Sequence, residues 1–222
     1  MPHDTPTALK ARKTPVQSRS RVTVDAIFEA TIQVLLGKGM NGLTTTLVAE
    51  RAGVSVGTMY QYFPNKQALI YALNKRYLDT LAGRIETTCA EQEGMPLAHM
   101  VEALIATYWR AKMERADLTR ALYRSVAELD NDALMHEFAA RVDRATEAMF
   151  ASTSDSALSD VAATNLTLTS VIYGTVRNAF ERGLPSDDAE ELRRNLVVMC
   201  QTYIAAASSS ASLSDAASSY HS

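Results

Sequence analysis

The 222-residue chain has little cysteine and no long hydrophobic run. Its two cysteines, Cys89 and Cys200, stand far apart outside any CxxC pair, so the sequence predicts neither a disulfide framework nor a thiolate metal site. No uninterrupted apolar run exceeds six residues, whereas a membrane-spanning helix needs about 20. The first residues lack the apolar stretch of a secretory signal. We therefore expect a protein of the reducing cytoplasm that does not cross a membrane.

Helix-breaking residues are scarce in the middle of the chain. Between Leu97 and Leu184 there is no proline, and Gly174 and Gly183 are the only glycines. No segment there alternates polar and apolar residues for long enough to form a strand. The expected fold is therefore all-α.

Charge is distributed unevenly around a formal net charge of −3. Residues 1–66 hold 8 Lys and Arg against 4 Asp and Glu, whereas residues 67–222 hold 14 against 21. The overall balance excludes a uniformly basic nucleic-acid coat. The asymmetry indicates a small N-terminal module that meets anions, carried by an acidic body.

Caps and breakers predict nine helices. Thr23 is a plausible N-cap for the first helix, which Gly37, Gly39 and Gly42 end. The other helices are predicted over Leu47 to Ala52, Val56 to Phe63, Lys66 to Glu93, Pro96 to Arg115, Asp117 to Glu128, Asn131 or Asp132 to Ala151, Leu158 to Arg182, and Asp187 to Ala207. The domains expected are a flexible basic arm (1–20), a three-helix module (21–66), a helical body (67–207) and a disordered Ser/Ala-rich tail (208–222).

The second and third helices have helix-turn-helix spacing. Ala49 is small where two helices must cross, and Gly53, four residues later, permits a turn with positive φ. The apolar residues expected to lock the pair are Val48, Ala52, Val54, Met59 and Tyr62. Those expected to project outward are Ser55, Val56, Gly57, Thr58, Tyr60 and Gln61. Such a pair alone is also found as a plain helical corner, whereas a DNA reader inserts its second helix into the major groove.

The segment AGVSVGTMYQYFPNKQAL resembles the signature of the tetracycline-repressor (TetR) family of transcriptional regulators, and the resemblance covers about residues 20–75. It implies a helix-turn-helix DNA-binding domain followed by a helical ligand-binding and dimerisation domain. It also implies a homodimer on a palindromic double-stranded DNA operator, released by a small-molecule effector. One alternative is a DNA-binding dimer that does not respond to a small molecule. Another is a helical module that binds a protein or a small molecule and does not read DNA.

Residue by residue, the resemblance makes the helix with Thr58, Tyr60 and Gln61 the recognition helix. The complete DNA-binding set implied is Thr44, Thr45, Thr46, Ser55, Val56, Gly57, Thr58, Tyr60, Gln61, Tyr62, Lys66 and Arg21. Some relatives carry arginine where this chain has Thr46, which shifts base readout toward Val56, Thr58, Gln61 and the arm. The basic arm residues Lys10, Arg12, Lys13, Arg19 and Arg21 either contact DNA or form a solvated tail. Tyr62 is either a phosphate donor or mostly core.

The body is expected to dimerise and to bind an effector. The dimer stripe on the last two helices comprises Leu166, Val176, Phe180, Leu192, Leu196, Met199 and Tyr203, with an intrachain core as the alternative. Candidate ligand contacts for an amphipathic or aromatic molecule are Tyr108, Trp109, Met113, Tyr123, Met135, Phe138, Asn165, Thr169, Tyr173 and Arg177. Stripes of this kind also form ordinary core.

The sequence offers no catalytic set. The four histidines are scattered, and none lies beside a carboxylate or cysteine at metal-ligand spacing. The Gly37-Lys38-Gly39 run lacks the GxxxxGK[ST] string of a phosphate loop. We therefore expect a non-enzyme that needs neither cofactor nor metal. Activation instead of repression stays open, because it depends on operator position.

Overall fold

The computed structural model describes residues 18–126, 131–155 and 158–219, which form nine α-helices and no strand. The helices are α1 (Ser18–Gly42), α2 (Thr45–Arg51), α3 (Val56–Tyr62), α4 (Lys66–Glu91), α5 (Leu97–Met113), α6 (Ala116–Val126), α7 (Asp132–Ala151), α8 (Val161–Arg182) and α9 (Ser186–Ser219). The all-α fold predicted from the sequence, with an N-terminal helix-turn-helix and a C-terminal helical region, is confirmed.

The chain divides into two compact units, of which the first comprises residues 1–79 and 115–136. Helices α2 and α3 have only 7 residues each, and helices that short are not stable in isolation. They are held by a shared apolar core with α1, α4 and α6, whose most buried members include Ile27, Leu35, Leu43, Val48, Met59, Leu69 and Leu122.

Helix α6 belongs to this first unit, although the sequence assigned it to the body. Leu118 and Leu122 lie in the same apolar core as α1 to α4. The hydroxyls of Tyr77 on α4 and Thr119 on α6 are 3.0 Å apart and hydrogen bonded. Packing against residues distant in sequence therefore decides the membership of α6.

The second unit comprises residues 80–114 and 137–222. In it, α5 packs against α8 and α9, and α8 packs against α9. Gln201 on α9 donates to the carbonyl of Ala98 on α5 over 3.3 Å. Arg141 on α7 donates to both carboxylate oxygens of Glu86 on α4, over 2.9 and 2.8 Å. This bidentate pair keeps the pKa of Glu86 below its usual value.

The largest differences from the predicted helix boundaries occur in α1, α8 and α9. Helix α1 already includes Ser18, the first described residue, so Thr23 lies inside the helix, and residues 18–22 contain no helix breaker. Helix α8 begins at Val161, where Asp160 accepts the N–H of Ala163 over 2.9 Å as the N-cap. Helix α9 continues to Ser219, past the predicted start of the disordered tail. Alanine favours extension of an established helix, so the Ser/Ala composition does not stop it at 207.

The glycines that were expected to end the first helix do interrupt it. Gly39 has φ 68° and ψ −178°, which are not helical angles. A residue with a Cβ is disfavoured at this φ. The prediction of a helix end at this glycine cluster is confirmed.

Candidate nucleic-acid interface and effector site

A tight turn joins α2 to α3. Gly53 in this turn has φ 67°, in the left-handed region that favours glycine. The N–H of Val54 donates to the carbonyl of Ala49 over 3.0 Å. Ala49 and Met59 are completely buried where the two helices cross. The predicted helix-turn-helix corner is therefore present, with the small residue and the glycine at the positions that need them.

Side-chain caps determine where α2 and α3 begin. The hydroxyl of Thr44 accepts the N–H of Leu47 over 3.2 Å at the start of α2. The hydroxyl of Ser55 accepts the N–H of Thr58 over 2.9 Å at the start of α3. The Ser55 and Thr58 hydroxyls also lie 2.8 Å apart. These caps satisfy N–H groups that would otherwise lack a partner at the first turn.

Helix α3 presents a strip of exposed residues on the side away from Met59. Val56, Gly57, Tyr60 and Gln61 are all exposed, and residues four apart lie next to each other on a helix. Val56 and Tyr60 are 41% and 42% exposed, although both carry large apolar groups. The strip begins at the N-terminus of the helix, where partial positive charge favours phosphate.

The three threonines at the start of α2 have different environments. Thr44 and Thr46 are exposed, whereas Thr45 is buried and donates its hydroxyl hydrogen to the Tyr60 oxygen over 3.3 Å. Thr45 thus helps to orient Tyr60. The expectation that hydroxyls from this run meet DNA directly applies to Thr44 and Thr46.

Two residues predicted to contact DNA, Tyr62 and Lys66, contact other residues of the chain. Tyr62 is half-buried, and its ring packs 6.4 Å from that of Phe63, centroid to centroid. The Lys66 amine donates to the carbonyl of Met40 near the end of α1 over 3.1 Å. Lys66 thus binds a helix end, where a cation interacts favourably with the last carbonyls.

The basic residues at the start of the chain are only partly described. Arg21 is exposed on α1. Lys10, Arg12 and Lys13 lie outside the described residues, as does the side chain of Arg19.

Part of the predicted effector site is brought together inside the second unit. Tyr108 on α5 and Tyr173 on α8 have ring centroids 4.4 Å apart. Phe138 on α7 lies 6.4 Å from Tyr173 by the same measure. Asn165 on α8 is buried, and its amide donates to Asp143 on α7 over 3.5 Å. Three helices therefore contribute to one aromatic and polar cluster.

The other predicted effector contacts have varied environments. Tyr123 and Met135 belong to the first unit, and Met135 is 41% exposed. In the second unit, Thr169 is buried and donates its hydroxyl to the Asn165 backbone carbonyl over 2.8 Å. Arg177 is exposed and forms an ion pair with Glu181 at 2.8 Å. Trp109 is buried on α5, and Met113 is half-buried.

Lys112 on α5 is a buried charged residue near this cluster and was not among the predicted contacts. Lys112 is 1% exposed, and its amine lies 5.4 Å from the centroid of the Tyr108 ring. Burial and the nearby positive charge of Arg177 lower the pKa of Lys112 to about 7. Its position was detectable, because it follows Trp109 by three residues and Tyr108 by four on one helix.

Two polar atoms in the same region have no hydrogen-bond partner. They are the Asn165 side-chain oxygen and the Tyr173 hydroxyl oxygen, and both are inaccessible to solvent. Burial, with the negative charge of Asp143, raises the pKa of Tyr173, so its hydroxyl stays protonated. It is therefore a hydrogen-bond donor that lacks an acceptor.

The predicted dimer stripe divides into buried and exposed residues. Val176, Phe180 and Leu196 are 0–2% exposed, so they form intrachain core. Leu192 is half-buried. The exposed members are Leu166 at 65%, Met199 at 51% and Tyr203 at 37%, and Val198, which was not predicted, is 61% exposed.

Reactive and metal-binding groups are scarce in the described residues. In the ranges given above, no three or more His, Cys, Asp or Glu side chains gather where they would hold a metal ion. Cys89 and Cys200 are buried free thiols, and burial raises the pKa of each to about 11. They are therefore poor nucleophiles at neutral pH. None of the helices described has the length and apolar character to span a bilayer.

Two family models match the chain. Residues 27–73 match the model described as "Bacterial regulatory proteins, tetR family". Residues 96–204 match "Tetracyclin repressor-like, C-terminal domain". Together the two matches cover more than half of the chain.

Individual relatives share about 30% of their residues with this chain over about half of its length. The chain is 31% identical over 108 residues to the nucleoid occlusion factor SlmA of Haemophilus ducreyi. The matched segment covers 46% of this chain and 52% of that protein. It is 29% identical over 123 residues to the HTH-type transcriptional repressor KstR of Rhodococcus jostii. That match covers 55% of this chain and 54% of that protein. The chain thus spans about half the length of these curated relatives.

A solved structure extends the similarity of fold to most of the chain. A TetR-family regulator structure from Mesorhizobium loti matches with a TM-score of 0.67 at 18% identity. The match covers 86% of this chain and 98% of the other.

Proposed function

Because the chain belongs to the TetR family of transcriptional regulators, we propose that it is a homodimeric, ligand-responsive repressor. It binds a palindromic operator through two helix-turn-helix heads about one DNA turn apart. Its place of action is then the cytoplasm, where bacterial DNA lies.

The exposed strip on α3 is the observation that carries the DNA-binding part of this proposal. Val56 offers an apolar surface to a thymine methyl group, and Gln61 has the amide that pairs with adenine. Tyr60, oriented by Thr45, and the exposed Thr44 and Thr46 offer hydroxyls to phosphates. The helix thus combines base-reading side chains with backbone-positioning ones.

The exposed apolar side chains of α8 and α9 support dimerisation. Leu166, Val198, Met199 and Tyr203 leave much apolar surface uncovered in a single chain, and such surface marks an interface. A second copy that packs α8 and α9 against the same helices buries it in a four-helix contact. Two heads in one molecule then match two half-sites.

The ligand response is assigned to the second unit, whose buried polar cluster is described above. Helix α4 begins at Lys66, next to α3, and its second half belongs to the second unit. A ligand that binds better to one head spacing than to another shifts the population toward that spacing, and α4 is the covalent element that transmits the change. Repression follows if the unliganded spacing fits the operator.

Selection of DNA from a random duplex pool by the purified protein tests this function. We expect an enriched palindrome whose two half-sites are about one helical turn apart. Binding should weaken steeply between two salt concentrations, because phosphate contacts release counterions. Enrichment of no sequence, with no binding at low salt, would reject DNA reading in favour of a helical protein-binding module.

A matched pair of variants locates the reading surface. Gln61→Ala removes an exposed amide from α3, and Gln92→Ala removes a half-buried amide beyond the end of α4. We expect Gln61→Ala to weaken binding to the selected palindrome by about tenfold, or roughly 1.4 kcal/mol, within the range of about 1–3 kcal/mol for a lost base contact. The affinity of Gln61→Ala for unrelated duplexes should stay within about twofold of that of the unmodified protein. The affinity of Gln92→Ala for the palindrome should also stay within about twofold. Equal losses for the two variants would place the reading surface elsewhere.

A DNA-binding dimer without small-molecule input is the second candidate. The similarity to a protein named as a nucleoid occlusion factor favours it. A panel of small molecules separates the two functions, because an effector stabilises the folded protein by mass action and changes its affinity for the palindrome. A constitutive binder shows neither change.

A further inference from the structure

One side-chain bond joins the two ends of the helix-turn-helix segment. The Lys66 amine, at the start of α4, donates to the backbone carbonyl of Met40, near the end of α1, over 3.1 Å. Residues 41–65, which lie between them, contain all of α2 and α3. The bond therefore closes a loop that holds the recognition helix and its supporting helix.

The acceptor carbonyl lies at a break in helical geometry. Gly39, which immediately precedes Met40, has φ 68° and ψ −178° inside α1. The Met40 carbonyl also accepts the N–H of Leu43 over 3.3 Å, and Leu43 is buried in the apolar core of the first unit. The next residue, Thr44, caps α2. The backbone that the lysine holds thus leads directly into the supporting helix.

The donor follows closely after the recognition helix. Helix α3 ends at Tyr62, and three residues separate it from Lys66. Helices α2 and α3 have only 7 residues each, so their placement depends on how the ends of the segment are held. Joining those ends reduces the number of conformations open to the segment.

We propose that Lys66 is a positioning residue for DNA reading, whose amine holds the Met40 carbonyl and so keeps α2 and α3 in the orientation that fits the major groove. The alternative role for this amine is a direct contact with a DNA phosphate. The two roles differ in salt dependence, because a phosphate contact releases counterions and an intrachain bond does not. This inference rests on the proposed DNA binding and identifies a residue that positions the reading surface.

Removal of the amine separates the two roles. Lys66→Met keeps the apolar stem, and we expect it to weaken binding of the full chain to the selected palindrome by at least about tenfold. A lost phosphate contact also lowers the slope of log affinity against log salt by about 0.9 for each head. We expect less than a third of that change. Lys75→Met removes a half-exposed lysine further along α4 and is the control, with affinity within about twofold of the unmodified protein.

A second variant disturbs the acceptor and leaves the Lys66 charge in place. Gly39→Ala puts a Cβ on a residue with positive φ, and nothing lies within 4 Å of that Cβ, so only the backbone conformation is affected. We expect it to weaken palindrome binding by several-fold. Added to Lys66→Met, it should change affinity by less than about twofold, because both substitutions remove the same bond. A phosphate contact by Lys66 predicts additive losses.

Amide hydrogen exchange of the free protein tests the loop closure without DNA. In Lys66→Met we expect the amides of α2 and α3 to exchange at least about fivefold faster, with those of α5 unchanged. Ile70→Val trims the buried core of the first unit and is the control for a general loss of stability. Its affinity for the palindrome should stay within about twofold of the unmodified protein.

Three results would overturn this inference. They are a salt slope that falls by about 0.9 for each head in Lys66→Met, palindrome affinity that Lys66→Met leaves unchanged, and unchanged exchange of the α2 and α3 amides. Failure of the proposed function is a different result, because the unmodified protein then enriches no palindrome and binds no duplex at low salt. The exchange measurement decides in either case whether Lys66 closes the segment.

Discussion

At the scale of the residue, Lys112 has the environment least suited to its side chain. It is 1% exposed in the second unit, and its pKa is lowered to about 7 by burial and by Arg177. The unfolded chain holds the same proton up to about pH 10.4. The folded state therefore has a free-energy penalty that is fully present below pH 7 and is relieved as the pH rises toward 10.4.

The first prediction concerns this penalty. Lys112→Met should unfold at higher denaturant concentration than the unmodified protein, and its advantage should shrink by about 3 kcal/mol between pH 6 and pH 9, at 1.36 kcal/mol per pKa unit. Urea unfolding at constant protein concentration measures the difference at each pH. Lys38→Met, at an exposed position of α1, should show no such pH dependence. An advantage that is the same at pH 6 and pH 9 would show that Lys112 is not the titrating group.

At the scale of the element, the turn between α2 and α3 determines how the recognition helix is presented. Gly53 has φ 67° and nothing lies within 4 Å of a Cβ added there, so only the backbone conformation requires glycine. Gly57, inside α3, does not have a positive φ, and an added Cβ would lie 3.7 Å from the Ser55 hydroxyl oxygen, an ordinary contact. The two glycines are therefore present for different reasons.

Alanine substitution separates those reasons. Gly53→Ala should lower the free energy of unfolding by about 1–2 kcal/mol, the cost of a left-handed conformation for a residue with a Cβ. Gly57→Ala should raise it by roughly 0.5–1 kcal/mol, because alanine favours a helix interior. Denaturant unfolding of both variants at one pH measures the two changes. If both substitutions moved stability in the same direction, the turn geometry at Gly53 would not be the controlling factor.

At the scale of the whole molecule, the exposed apolar residues of α8 and α9 decide whether two chains associate. A monomer carries one DNA-binding head, whereas a dimer carries two. Val176, Phe180 and Leu196 face the interior of their own subunit. The contact between subunits therefore depends on Leu166, Val198, Met199 and Tyr203 in the proposed dimer. Introducing a charge there forces its desolvation on association.

The prediction is that Met199→Glu converts the dimer to a monomer. Light scattering should give a solution mass of one chain instead of two, with affinity for the palindrome at least about tenfold lower because the heads bind singly. Met95→Glu, which charges another exposed methionine of the second unit, should leave the mass unchanged. A dimeric mass for both variants would move the interface away from Met199.

The identity and order of the helices were accessible from the sequence because their signals are local. Caps such as Thr44 and Ser55, and the glycine at position 53, act within four residues along the chain. The same short range explains why the helix-turn-helix was recognised from its spacing. Boundaries were less accurate where no cap or breaker stands, as at Ser18 and in the long C-terminal helix.

Tertiary structure alone decided which faces of those helices are covered. Helical periodicity groups residues on a face but does not distinguish a face that packs within the chain from one that meets a partner. Phe180 and Met199 belonged to one predicted stripe, yet Phe180 is 1% exposed and Met199 is 51% exposed. The burial of Lys112 and the contact of Thr45 with Tyr60 likewise depend on residues brought close only by folding. Local hydrogen bonding therefore specified the elements, and packing between distant segments specified the surfaces.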